Sequence, residues 1–203
     1  MATGFLGTPL VLPALGSVGK FDEAYLMLLR RGMPSWLYQV GQGATTVWER
    51  WDAILPDGSI HSGTMTHLEG EDKGQESHML SFNHYAYGAV IDWVYRHVAG
   101  MAPTIESPGF RRVVVAPRPH VAIRWAKASI ESSFGLIAVD WRIEDAGSLE
   151  IGVDLPPGVD AQLDLPVTPR SQVHIDGKPA APDAVLDTGR HAIVVADPLV
   201  AGH

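Results

Sequence analysis

Apolar positions change their period about halfway along the chain. In Phe21 to Arg31 (FDEAYLMLLRR) they recur at helical spacing, with Gly32 and Pro34 as stop signals, and Leu6 to Leu15 predicts a helix before it. These two helices are expected to form an antiparallel pair. FNHYAYGAVIDWVYRHVAG predicts a long helix with Ser81 as N-cap and Gly100 just past its end. Phe82, Tyr85, Ala89, Trp93 and His97 form one stripe on that helix, and most of its circumference is apolar, so it is expected to be largely buried.

From Arg111 onward the period becomes two. Ile137, Val139, Trp141 and Ile143 alternate with Ala138, Asp140, Arg142 and Glu144, and Leu149 to Leu155 repeats the pattern. Further strands are predicted at Val113 to Ala116, Val121 to Ala128, Ala161 to Leu165, Gln172 to Ile175 and His191 to Val195, with turns at Asp176-Gly177 and Asp187-Thr188-Gly189. Short strands at this spacing predict an antiparallel β-sandwich. The Gly- and Pro-rich stretch GMAPTIESPG, residues 100 to 109, marks the change, and the expected domains are 1 to 102 and 103 to 203.

The helical half raises a difficulty. Helices with almost continuous apolar surfaces cannot all cover one another in a bundle of about 100 residues. A helix-forming apolar segment also begins within a few residues of Met1, so the chain is expected to be the C-terminal end of something larger.

Composition adds exclusions. The 203 residues are 46% hydrophobic and 19% charged, values of a globular chain with a real core. A formal charge of −8 with no cluster of Lys and Arg argues against nucleic acid as a partner. Without cysteine, disulfides, thiolate catalysis and Cys-based zinc sites are excluded. No run approaches the ~18 apolar residues a membrane helix needs, and the apolar opening lacks a basic leader. No membrane partner is expected, and a cytoplasmic location is slightly favoured over export.

Candidate chemistry concentrates in two stretches. GATTVWERWD, residues 43 to 52, sets Glu49 between Trp48 and Trp51, with Arg50 and Asp52 beside it. Aromatic faces stack on the C–H surfaces of sugars while carboxylates hold hydroxyls or activate water, so the cluster suits a glycoside site. A structural reading, Glu49 paired to Arg50 between core tryptophans, accounts for the same residues. SFNHYAYG, residues 81 to 88, places Asn83 and His84 at an expected helix start, where unpaired backbone N–H groups favour a neutral imidazole. A satisfied core or capping histidine is the alternative there. His61, His67, His78 and His84, with Glu69, Glu71, Asp72 and Glu76, follow no recognised ligand spacing, so no metal site is assigned. On the strands, Trp125, Lys127 and Trp141 could form a sugar-binding face, but their alternation favours core packing.

TGFLGTPLVLPAL (3 to 15), PSWLYQVGQGATTVWERWD (34 to 52), SFNHYAYGAVIDWVYRHVAG (81 to 100) and PRPHVAIRWAKASIESSFGLIAVDW (117 to 141) together cover most of the chain. In this order they resemble the C-terminal portion of bacterial α-L-rhamnosidases, inverting glycoside hydrolases of the (α/α)6-barrel type. The resemblance implies an α + β multidomain chain, the last helices of an (α/α)6 barrel followed by the family's C-terminal β-sandwich. It implies Glu49 as general base towards water at the anomeric carbon of a rhamnose-containing glycoside, and His84 as a hydrogen-bond partner of the sugar. Trp48, Trp51, Asp52 and Asn83 would shape the pocket, with no cofactor and no metal.

An inverting glycosidase needs a second carboxyl group ~6.5 to 9.5 Å from the base. In the family that acid belongs to an Asp-Glu-Arg motif, which this chain lacks. The chain alone is therefore expected to be inactive, and an N-terminal part of the same enzyme is its expected partner. The segment DGSIHSGTMTHLEGEDKGQESHML, residues 57 to 80, is longer and more acidic than the family pattern and is expected to reshape the aglycone side. A non-catalytic carbohydrate-binding or structural module is the alternative function.

Overall fold

The computed structural model describes residues 3–62, 80–107 and 109–202. The chain divides into two compact units, Met1–Ile91 and Asp92–His203.

The first unit holds α1 (Thr8–Ser17), α2 (Phe21–Leu28) and α3 (Trp36–Gly41). Pro9 opens α1, where a missing N–H costs nothing, and the buried Thr8 hydroxyl is hydrogen-bonded to the carbonyls of Thr3 and Gly4. Ser35 caps α3, its hydroxyl accepting the Tyr38 N–H at 3.0 Å. Leu12, Ala24 and Tyr25 pack inward, whereas Leu6, Leu10, Val18, Leu26 and Val40 are 62 to 80% exposed. These helices are thus apolar on faces that their own unit leaves uncovered, as the sequence pattern requires of a part of a larger helical domain.

The long helix expected from residue 82 is shorter and more varied. Helical structure starts only at Ala86, as a 3-10 turn (Ala86–Ala89), then α4 (Val90–Trp93) and a π-helical turn (Val94–Ala99). Ser81 is not its N-cap, because its hydroxyl accepts the Asn83 N–H in a serine turn that competes with helix. Nor is the segment buried throughout: Trp93 is 1% exposed, but Tyr85 is 87% and Ile91 55% exposed.

The second unit is two sheets over one core. Its strands are β1 (Met101–Pro103), β2 (Arg112–Val115), β3 (Trp125–Ser132), β4 (Gly135–Ile143), β5 (Leu149–Leu155), β6 (Asp160–Leu163), β7 (Val167–Ile175), β8 (Lys178–Pro179), β9 (Val185–Leu186) and β10 (Gly189–Pro198). One sheet has the order β1-β2-β6-β9 and the other β3-β4-β5-β10-β7-β8. All pairings are antiparallel except β2 with β6, which run parallel. Ile137, Val139 and Trp141 of β4 and Leu149, Ile151, Val153 and Leu155 of β5 are at most 2% exposed, which realises the period-two pattern. Val113, Val115 and Met101 from the smaller sheet join the same cluster. A slip of one residue in β4 would turn Asp140 and Arg142 into that core, so the register is strongly specified. The strand expected at 121 to 128 begins instead at Trp125, because His120 and Ile123 bridge in a turn.

His97 is the notable titratable group of this unit. Its ring lies 5.2 Å from that of Trp93, and burial, followed by the charges of Arg118 and Arg96 against a weaker opposing effect of Asp92, pulls its pKa down to about 4. A base with a depressed folded pKa leaves the unfolded chain binding the extra proton. Stability is therefore complete above the unfolded value near 6.5 and falls as pH drops from there towards 4. After discounting for partial exposure, this loss is on the order of 1–2 kcal/mol. His97→Gln is expected to flatten the dependence across that window in urea unfolding of the second unit; an unchanged slope would refute the assignment.

Among the described residues, no helix is long and apolar enough to cross a membrane.

Candidate active site

The WERWD turn is set by backbone contacts before any side chain is considered. Glu49 N–H donates to the Ser81 carbonyl at 2.9 Å and His84 N–H donates to the Val47 carbonyl at 2.7 Å. The Thr46 hydroxyl adds a hydrogen bond to the Phe82 carbonyl. The two stretches singled out in the sequence are therefore paired along their backbones. From α3, the buried Gln39 side chain donates to the Arg50 carbonyl at 2.9 Å, and the Tyr38 hydroxyl donates to the Ile54 carbonyl at 2.8 Å. Both ends of the turn are thus anchored to a helix.

A cavity of about 440 Å³ opens beside this turn, within the range typical of small-molecule sites. Glu49, Arg50, Trp51 and Asp52 line it together with Phe5 and Tyr87. Trp51 is stacked on Tyr87 at 3.9 Å, while Trp36 meets Trp51 edge-on at 5.3 Å and donates its indole N–H to the Tyr87 carbonyl at 2.9 Å. These rings form a wall whose geometry is locked by neighbours.

Glu49 is only 6% exposed. The expected alternative of a Glu49–Arg50 pair does not form. Arg50 instead turns to Asp52, with Nε to Oδ1 at 3.0 Å and a second contact at 3.3 Å, and its guanidinium also lies 3.3 Å from His61 Nε2. Among the described residues no side chain donates to the Glu49 carboxylate, and Glu49 lines the cavity. Among the described residues the carboxylate thus has neither a cation nor a side-chain donor, and it makes no polar contact that would stabilise the fold.

The neighbouring groups have defined protonation. For Asp52, desolvation pushes the pKa up but is outweighed by the Arg50 hydrogen bonds and the Arg50 and His61 charges, so the carboxyl titrates below its ordinary value. Burial first, then the Asp52 charge, pushes the Tyr87 phenol up to about 12, and its hydroxyl is hydrogen-bonded to Thr8. Asp52 is thus anionic and Tyr87 neutral at pH 7.

The remaining sequence candidates lie around rather than in the cavity. His84 is half-buried, with its ring 5.3 Å from that of Phe5 and stacked on Tyr85 at 5.4 Å. It is not at a helix start amid unpaired N–H groups; its Nδ1 itself accepts the Ala86 N–H at 3.4 Å, and the neutral ring then carries its proton on Nε2. Trp48, 3% exposed, packs edge-on against Phe82 at 5.4 Å, and Asn83 is exposed. Neither lines the cavity. Sequence reasoning missed Tyr87 and Phe5; the signal for Tyr87 was its place in SFNHYAYG, three residues after His84, in a motif already suspect.

Among the described residues no group of three or more His, Asp or Glu side chains could hold a metal ion. His67, His78, Glu69, Glu71, Asp72 and Glu76 lie outside the described residues. In the second unit the Trp125, Lys127 and Trp141 set does not share a face: Trp141 is core at 2% exposure, whereas Trp125 is 69% exposed.

Comparison with known proteins accords with these features. Residues 1–98 match the family model described as bacterial alpha-L-rhamnosidase 6 hairpin glycosidase domain, and residues 100–179 match the bacterial alpha-L-rhamnosidase C-terminal domain. An alpha-L-rhamnosidase of Streptomyces avermitilis is 40% identical over 82% of this chain, and one of Formosa agariphila is 33% identical over 88%. The chain spans only 14% and 17% of the length of those two relatives. The crystal structure of the S. avermitilis alpha-L-rhamnosidase complexed with L-rhamnose superposes on 97% of the chain with a TM-score of 0.79 at 36% identity, covering 18% of that protein. The alpha-L-rhamnosidase of Aspergillus terreus gives 0.78 at 30% identity over 96% of the chain. The chain therefore belongs to the bacterial α-L-rhamnosidase family of glycoside hydrolases, corresponding to the end of its six-hairpin glycosidase domain followed by its C-terminal domain.

Proposed function

We propose that this chain is the C-terminal portion of an inverting α-L-rhamnosidase, contributing the general base but not the general acid. The observation that carries the reading is Glu49: a buried carboxylic side chain, without a cation among the described residues, lining a cavity walled by stacked rings. A carboxyl group placed in a cleft among aromatic rings is suited to hold sugar hydroxyls or to activate water.

In this reading a water beside Glu49 attacks the anomeric carbon of a terminal α-L-rhamnoside. Glu49 takes the proton from that water as the C–O bond to the sugar forms. The glycosidic C–O bond breaks on the opposite face, and its oxygen is protonated by an acid supplied from an N-terminal part of the enzyme. Trp51, held by Tyr87 and Trp36, offers a flat apolar face to the ring. Asp52, anionic and clamped by Arg50, accepts from a sugar hydroxyl, and His84 donates from Nε2. Trp48 supports Glu49 from the core side, Asn83 belongs to the pocket rim, and the domains meet near residue 102. The uncovered apolar faces of α1 and α2 support a missing helical partner.

The 203-residue chain alone is expected to release no product from 4-nitrophenyl α-L-rhamnoside. The enzyme carrying an N-terminal part should release β-L-rhamnose first, seen as the initial anomeric signal in proton NMR. Initial release of the α anomer would refute inversion, and turnover by the short chain would refute the divided mechanism.

A further inference from the structure

Two rows of side chains cross the outer face of the six-stranded sheet. One runs Trp125–Arg142–Glu150–Val194 and the other Lys127–Asp140–Gly152–Ala192, each step being a paired position on adjacent strands. These positions alternate with the core residues Trp141, Ile151 and Ile193, so their side chains project away from it.

The two rows differ in bulk. Gly152 and Ala192 leave the middle of the face nearly bare, and the Asp140 carboxylate leans over Gly152, 2.9 Å from where a Cβ would stand. A depression of about 610 Å³ results, bounded by Trp125, Asp140, Arg142 and Glu150. The Trp125 indole is 69% exposed at the start of the edge strand β3 and stacks on no other ring among the described residues. An exposed tryptophan beside a trough floored by Gly and Ala is an open aromatic platform.

Charge narrows the occupant. Lys127 and Arg142 sit among Asp140, Glu150 and Glu144, and Arg142 is already paired with Glu150 at 3.0 Å and with Glu144. A strongly charged ligand gains no net attraction from such a face. A hydroxyl, donor and acceptor at once, can use both the carboxylates and the cations. We infer that this trough is a second carbohydrate-binding site, in which a neutral saccharide ring lies on Trp125 and directs hydroxyls to Asp140 and the Arg142–Glu150 pair. It binds sugar without hydrolysing it, and it is independent of the catalytic reading of Glu49.

A single platform of this kind gives affinity in the millimolar range, on the order of 1–10 mM. The test is NMR of the 203-residue chain titrated with methyl α-L-rhamnoside and with a β-1,4-linked glucose hexasaccharide. The indole N–H resonance that is lost in Trp125→Ala should shift on titration with at least one of them. Followed at the amides of Gly152 and Ala192, Trp125→Ala should weaken binding about tenfold or more. Asp140→Asn should weaken it severalfold, and Glu49→Gln should leave it unchanged. Absence of a shift at the Trp125 indole up to about 50 mM of both sugars, fivefold above the weakest affinity expected, overturns the proposal. So does undiminished binding in Trp125→Ala. In the enzyme with its N-terminal part, a Trp125 indole shielded from acrylamide quenching would assign the face to an internal interface and overturn it too.

Discussion

Glu49→Gln in the enzyme proposed above, this chain together with an N-terminal part, is expected to lower kcat on an aryl rhamnoside by about 10²-fold or more, with little change in KM. The substitution keeps the shape of the side chain and removes only its basicity, the contribution of a general base to the attack of water. Because among the described residues no side chain donates to the carboxylate, the amide breaks no hydrogen bond made there, and the melting temperature should not fall. Near-normal turnover would end the assignment. A large fall in stability with unaltered turnover would instead make Glu49 a packing residue.

Gly100→Ala is expected to be the most damaging small change in the second unit, costing about 3 kcal/mol or more in urea unfolding. Gly100 ends the helical segment in the left-handed region, at φ 81° and ψ 32°. A Cβ there would stand 2.3 Å from the Pro117 nitrogen and 2.6 Å from its Cα, backbone atoms with no rotamer to yield. The approach is held from both sides, by Ala116 N–H on the Gly100 carbonyl at 2.9 Å and Arg118 N–H on the His97 carbonyl at 2.8 Å. Gly147→Ala is the control: its φ of +87° is equally left-handed, but nothing lies within 4 Å of its absent Cβ. It should cost only the conformational penalty of about 1 kcal/mol. Equal losses in the two variants would show that the contact with Pro117 carries no energy.

The parts of this molecule that could be read from its sequence are those whose cause is local. Alternation in 137 to 143 and 149 to 155 predicts two strands with one buried face each, and both form with that face inward. Gly100 follows the helical pattern and does end the helix. The bare apolar faces of the first helices could be expected, because a count of hydrophobic positions needs no tertiary knowledge. The strands β8 and β9, of two residues each, are too short for any period to register, and the parallel pairing of β2 with β6 depends on residues about 48 apart. The helix start at Ala86 was hidden because the backbone of 81 to 84 is claimed by residues 47 to 49, which no local propensity reveals. For the same reason Arg50 could not be assigned to Asp52 in preference to Glu49: both are near neighbours, and the turn between them decides. The cavity wall required Tyr87, whose value lies in facing Trp51 from a segment 36 residues away.

The hydrogen bonds joining Val47 and Glu49 to Ser81 and His84 have a further consequence for how such enzymes can diversify. They tie the two active stretches together at their bases, so whatever chain runs between His61 and Leu80 enters and leaves at fixed points. The entropic cost of a longer connection grows only logarithmically, about 0.6 kcal/mol for each doubling. Insertions there can therefore be accepted, trimmed or exchanged without displacing Glu49. The length of this connection can thus vary at little thermodynamic cost to the paired stretches on either side of it.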